Sequence, residues 1–438
     1  MSTNKGLRRR VVLGIVAGMV ATAGMARADV VTDQAAAILV FPKIKVDTAG
    51  TPATDTIVQV TNTSPFLSKA HCFYVNANSH CSNANPPAVP LTCLSNADCN
   101  PGGLTGGVCV PGWNERDFQL TLTKRQPLSW RASQGLANPC PAGYSNDDCS
   151  GSYVPLSGGR VSRDGQSNGD TKVPPVEENP FIGELKCVQV DIGTDQPIDR
   201  NDLKGEATIV STTDVGGVDA SKYNAVGIQA IEGAQDGDPA TLRLGGPDPE
   251  YNACPRINLL DHFFDSFDEL DAAGGVGTHN DGTGAASVVE RVATDIVVIP
   301  CSEDFLNQDP TFGAAILQFL IYNEFEQRFS TATRVNCFKE VQLSDIDTRF
   351  GVADNNGSIF NAAVQGTLTG QTRIRPVVGS SRANRVLILA QERWRTGGGP
   401  LEYMSTARNV QTIQEVNPNE PPDMILLTCP DGSAPPCF

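Results

Sequence analysis

The chain falls into short β-branched runs rich in Val, Ile and Thr, punctuated by clusters of Gly, Pro, Asn and Asp. Past the N-terminal region no long stretch keeps the 3.6-residue apolar spacing of an amphipathic helix. Such a pattern predicts strands closed by turns. The predicted strands are Ala37–Val46, Thr56–Thr61, Ala70–Val75, Asp117–Leu122, Leu185–Val190 and Ala207–Ser211, then Asp295–Pro300, Ile316–Tyr322, Arg334–Phe338, Thr367–Val377, Arg385–Ala390 and Met424–Thr428. Leu259–Phe267 admits a single helical turn, and the polar stretch Gly158–Asn179 reads as a long exposed loop.

The strand pattern repeats. Ile38-Leu39-Val40-Phe41-Pro42 is echoed by Ile296-Val297-Val298-Ile299-Pro300, and the interval to the next matching glutamine is 17 residues (Gln59) or 18 (Gln318). Each copy then reaches an Asn (Asn62, Asn323) and a Cys-Phe pair (Cys72-Phe73, Cys337-Phe338). An internal duplication predicts two related units: residues 29–258, and 291–438 with a C-terminal tail, joined by an acidic, Gly-rich connector at 259–290. A mature chain of about 410 residues also exceeds what one ordinary core fills.

The first 28 residues read as an export signal. Lys5 and Arg8 to Arg10 precede the uncharged run Val11–Gly24, and Ala26-Arg27-Ala28 offers a small-x-small cleavage site. The uncharged run is too short to span a bilayer as a helix, and no later stretch is apolar enough, so no transmembrane segment is expected in the mature chain. Cleavage removes five basic residues and no acidic one, taking the net charge from −16 to −21. A chain this acidic, without a basic stripe, excludes nucleic acid as a partner. The location is then the periplasm, the cell surface or the extracellular space.

Export gives the 13 cysteines their meaning. Cys72, Cys81, Cys93, Cys99, Cys109, Cys140, Cys149, Cys187, Cys254, Cys301, Cys337, Cys429 and Cys437 are expected to be mostly disulfide-bonded in an oxidising compartment, with connectivity open and at least one left over. Several sit in a Cys-rich insertion at about 81–150. There Cys93-Leu94-Ser95-Asn96-Ala97-Asp98-Cys99 and Ser145-Asn146-Asp147-Asp148-Cys149 are similar to small Ser-Asx-x-Asp-Cys modules of secreted bacterial proteins. Thr56-Ile57-Val58-Gln59-Val60-Thr61-Asn62-Thr63-Ser64, Phe118-Gln119-Leu120-Thr121-Leu122 and Asn201-Asp202-Leu203-Lys204-Gly205-Glu206-Ala207 resemble secreted bacterial immunoglobulin-like β-sandwich proteins. That resemblance implies an all-β fold of two tandem immunoglobulin-like sandwich domains with long loops. It implies no role for any residue.

Candidate chemistry is sparse. His71-Cys72 and His80-Cys81 have the ligand types of a tetrahedral zinc site, but their spacing is not a zinc-finger one, and disulfides are the preferred reading. Asp261, Asp265, Asp268, Glu269, Asp271 and Asp281 in the connector lack the order of an EF-hand, so a solvated linker is preferred to a Ca2+ site. No Gly-x-Ser-x-Gly elbow, His-Glu-x-x-His pair or P-loop occurs, which leaves a triad through His262 or His279 without sequence support. Trp113, Trp130, Trp394, Tyr223 and Tyr251 would serve either as core plugs or as a sugar or partner platform. Cys429 and Cys437 would clasp the tail or link two chains.

No catalytic or cofactor-binding residue is assigned, and no cofactor is expected. The reading is a secreted non-enzymatic structural, adhesive or partner-binding protein of the bacterial envelope or extracellular space, which self-associates or binds another envelope protein. Alternatives are a secreted hydrolase with a loop-built site, and a calcium- or carbohydrate-binding module.

Overall fold

The computed structural model describes residues 30–438 except 31, 87, 90, 94, 137–172, 214–215, 262–265, 268–289, 310, 348–357, 361–369, 378–382, 384, 396–402, 414–418 and 428–438. Predicted features falling outside these residues are the export signal, Cys140, Cys149, Cys429, Cys437, His262, His279, and the connector carboxylates from Asp265 to Asp281.

The first eight strands are β1 (Ile38–Val46), β2 (Thr54–Asn62), β3 (Ser68–Asn76), β4 (His80–Cys81), β5 (Cys109–Val110), β6 (Asn114–Leu122), β7 (Pro127–Arg131) and β8 (Phe181–Val190). Next come β9 (Leu203–Thr212), β10 (Val218–Asn224), β11 (Val226–Ile228), β12 (Thr241–Leu244), β13 (Ile257–Asp261), β14 (Ser266–Phe267), β15 (Glu290–Pro300) and β16 (Glu303–Asp304). The last are β17 (Ala314–Asn323), β18 (Arg328–Asn336), β19 (Lys339–Gln342), β20 (Gly370–Pro376), β21 (Val386–Arg395), β22 (Tyr403–Asn409), β23 (Gln411–Ile413) and β24 (Asp423–Leu426). Helix is confined to the 3-10 turn Pro101–Gly103 and α1 (Leu343–Ile346) among the described residues. Each of the twelve predicted strands overlaps a strand of the structure. Of the segment Leu259–Phe267, Leu259 to Asp261 belong to β13, between β20 and β23, and Ser266–Phe267 form β14, while residues 262–265 lie outside the described residues.

The fold class departs from the expectation. The chain is all-β, 55% strand, and its small antiparallel sheets are arranged as a five-bladed β-propeller, not as two tandem immunoglobulin-like sandwiches. The sheets run β11-β1-β8-β3-β6, β10-β9-β2-β7, β12-β24-β16, β18-β17-β20-β13-β23 and β14-β15-β21-β22, with β19 also on β15 and a separate β4-β5 pair. The physical reason lies in pairing. Alternating burial, seen in β2 and β17, specifies a strand with one inward face but not its neighbours. Here strands far apart in sequence close the sheets: β12 pairs β24, and β16 runs parallel to β24.

Two apolar cores sit on either side of the β15–β21 pair. Val297, Ile299, Leu387 and Leu389 join the larger core with β1, β3 and β8. Ile296, Val298, Ile388 and Ala390 face the smaller one, with Leu317, Phe319 and Ile374. Successive strand residues point to opposite faces, so both faces of this pair are covered and its sequence reads as a continuous apolar run.

One local irregularity positions a polar cleft. In β1 the register against β8 shifts between Phe41 and Ile44. Pro42 lies within this bulge and has no N–H for the ladder. The buried Tyr223 hydroxyl donates to the carbonyl of Lys43 and accepts from its amide. The bulge is thereby satisfied inside the core, and Phe41 fills the space over Gly205, where an added Cβ would lie 2.5 Å from its ring.

Candidate functional site

The bulge delivers Lys43 to a cleft of about 520 Å³ between β1, β2, β9 and β10 on one side and β15, β19, β21 and β22 on the other. That volume is in the range of small-ligand sites, roughly 300–1,000 Å³. Lys43 Nζ lies 2.5 Å from Glu340 Oε1 and donates to Gln391 Oε1 at 2.6 Å. Gln391 in turn donates to Ser221 Oγ at 3.1 Å. Arg393 grips Asp295 with two hydrogen bonds, Nε to Oδ2 at 2.8 Å and Nη2 to Oδ1 at 3.2 Å. Both the amide and the hydroxyl of Ser405 donate to Asp219.

The electrostatics follow from this pairing. Burial works against the charge of Glu340, but Lys43, Lys45 and Arg393 outweigh it and hold the carboxyl below the usual range. Lys45, half-buried and also lining the cleft, makes no ion pair among the described residues. The apolar contribution to the walls is limited to Pro52, Ile209 and Val341, with no aromatic ring. The cleft thus offers a fixed set of donors and acceptors to a polar ligand.

A second polar cluster is shut away from solvent. Glu184 and Lys186, two apart on β8, share one face. Lys186 Nζ donates to Glu184 Oε1 at 2.9 Å and also to Glu303 Oε2 on β16. The three side chains are 0%, 2% and 1% exposed. Lys186 also faces the Phe305 ring, 5.8 Å from its centroid. Burial opposes its charge, yet Glu184 and Glu303 together hold the ammonium above the normal range.

The histidines and cysteines singled out in sequence do not combine. Cys72 is bonded to Cys187 and Cys81 to Cys99. His71 Nε2 hydrogen-bonds Asp117 Oδ2 at 2.9 Å, which holds that carboxyl below its ordinary value. His80 Nε2 bonds Glu178 Oε2 at 2.9 Å, while Asn76 and Asn78 donate to the other oxygen of Glu178. Two further disulfides join Cys93 to Cys109 and Cys254 to Cys301. The sulfurs of Cys81, Cys93 and Cys99 lie within 4.8 Å of one another, but each is already in a disulfide rather than available as a thiolate ligand. Cys337 is buried, and burial, with Glu303 and Glu184 nearby, pushes its thiol up.

The aromatic residues divide cleanly. Trp113, Trp130, Tyr223 and Tyr251 are buried, and Trp130 Nε1 donates to Tyr74 Oη at 2.6 Å inside the core. Trp394 alone of the five is exposed. No shared platform forms. Among the described residues no helix is long and apolar enough to cross a membrane, and the four disulfides are compatible with an exported protein.

No family model matches the chain, and no curated protein matches it in sequence. The cleft residues escaped sequence reading because they come from eight strands, each contributing one or two common polar types. The buried cluster did leave a trace. Glu184 and Lys186 interrupt the otherwise largely apolar run Phe181–Val190 on one face, and charged residues placed inward in a strand need partners.

Proposed function

We propose that this is an exported, non-enzymatic protein that holds a partner, with the Lys43–Arg393 cleft as the contact surface. The supporting observation is the saturation of that cleft. Lys43, Glu340, Gln391, Asp295, Arg393, Asp219 and Ser405 are engaged with one another or with neighbouring side chains. A general base or nucleophile needs reach to a substrate atom, whereas a recognition surface gains from groups held in place. Export fits the disulfides, since such bonds persist in oxidising compartments.

Lys45 defines the partner's chemistry. Its ammonium has no ion-pair partner among the described residues and faces a polar cleft, so it accepts a carboxylate. This chain carries 49 acidic residues against 33 basic ones, which makes a second copy, or another acidic envelope protein, a suitable occupant.

Sedimentation of residues 29–438 over a concentration series, wild type beside Lys45→Glu, tests the reading. Self-association weakened about tenfold by the charge reversal is expected if a second copy is the partner. If both forms stay monomeric, wild-type protein should retain an acidic protein from an envelope extract that Lys45→Glu does not. Turnover of a glycan or peptide substrate by the wild type, lost in Lys45→Glu, would overturn the proposal in favour of a hydrolase.

A further inference from the structure

Glu184, Lys186 and Glu303 pose a charge problem that their geometry answers. Two carboxylates and one ammonium, all ionised, leave a net negative charge in a site closed to water. Lys186 satisfies one oxygen of each glutamate, while Glu184 Oε2 and Glu303 Oε1 are buried with no hydrogen-bond donor. Unpaired buried charge and unsatisfied carboxylate oxygens are both costly. A single proton removes both costs, because it neutralises the cluster and gives one glutamate an O–H to donate to the other.

We propose that Glu184 and Glu303 share one resident proton at neutral pH, and that this proton latches β16 to β8. The latch matters for the architecture. β16 runs beside β24, and β24 pairs β12, so the contact ties the three-stranded sheet to the sheet containing β1, β3 and β8. Losing the proton leaves Lys186 to neutralise two carboxylates, and β16 is then held over an uncompensated charge.

The surroundings favour the protonated form. On β8 the charged groups are Glu184 and Lys186, and on β16 Glu303 and the buried Asp304, whose carboxylate accepts from the amide and side chain of Asn307. Cys337 approaches from the turn between β18 and β19, with Asp309 of the β16–β17 loop also acting on that thiol. Phe305 covers Lys186, and Phe73 of β3 stacks on Phe305 with centroids 4.4 Å apart. His71 touches Phe73 and is engaged with Asp117. Burial, with Glu184 alongside, pushes the Glu303 carboxyl well above the usual range, although Lys186 pulls the other way.

Infrared spectroscopy of the intact protein tests this directly. In the infrared difference spectrum of wild type against variant at pH 7, where the contribution of Glu115 cancels, the wild type should show the carbonyl band of a buried protonated carboxylic acid that both Glu303→Gln and Glu184→Gln lose. The second readout is stability against pH. A proton bound by the folded state and absent from the unfolded one raises the unfolding constant about tenfold per pH unit, from the ordinary glutamate range up to the folded value. Wild type should therefore lose stability relative to Glu303→Gln as pH rises from 5 to 9. If Glu303→Gln does not fold, Glu184→Gln serves for both measurements. Absence of the band from the wild-type-minus-variant difference spectrum at pH 7, or parallel pH curves for wild type and variant, overturns the proposal.

Discussion

Glu115 shows at the scale of one residue how placement alone converts a surface carboxyl into a titrating group. It lies on β6 with one oxygen buried and lacking a hydrogen-bond donor. Burial, and then the neighbouring Asp117 and Glu177, raise it to about 7. Because the folded value lies above the unfolded one, its contribution is complete below the ordinary glutamate range and is lost as pH rises through 7. Glu115→Gln is expected to match wild type near pH 4 and to be the more stable protein at pH 8, as read by urea unfolding at the two pH values. The position was a strand residue in the sequence reading only two places away, at Asp117. Nothing in the local sequence told that Glu115 would face a second carboxylate from a distant segment.

The paired strands β3 and β8 carry the argument to the element scale. Cys72 and Cys187 are direct register partners, and their disulfide closes a loop with a sequence separation of 115. Both strands are buried along nearly their whole length, so the crosslink lies within packed structure rather than at a loose end. Replacing both cysteines, Cys72→Ala with Cys187→Ala, is expected to lower stability by about 2–5 kcal/mol, measured by denaturant unfolding of the double variant against wild type. The lobe at β4–β5 depends on its crosslinks more completely. Its apolar cluster consists of Cys81, Cys93, Cys99 and Val89 with Cys109 against it, which is too little to hold a fold without covalent links. Existence of these disulfides was legible from the cysteine count and the expectation of an oxidising compartment. Their partners were not, since thirteen cysteines allow many connectivities and only spatial approach selects among them.

At the scale of the whole molecule, the C-terminal strand closes what the middle of the chain begins. β24 lies between β12 and β16. Arg385, 1% exposed, pairs with carboxylates at and just before the start of β24, its Nη2 3.0 Å from Glu420 Oε2 and its Nη1 3.5 Å from Asp423 Oδ2. Ser302 Oγ also donates to Asp423 Oδ1 at 2.7 Å. Removing the guanidinium while leaving the carboxylates buried is expected to cost about 3–5 kcal/mol. Arg385→Met should show this in thermal unfolding, together with faster proteolysis at β24. Arg385→Lys should recover only part of the loss, because an ammonium does not reproduce the planar fork.

By itself the sequence determined that this chain is built of strands, where twelve of them run, and that its cysteines would form disulfides. Those properties rest on local alternation, turn residues and composition, which are written in consecutive positions. Only the tertiary structure decided that the strands assemble as the small sheets of a five-bladed propeller rather than two sandwiches, that Lys43 meets Glu340, and that Glu184 and Lys186 enclose Glu303. Each of these depends on which strand edges come together across long stretches of chain. Edges present the same backbone groups whatever their side chains, so the choice is made by packing summed over the whole molecule.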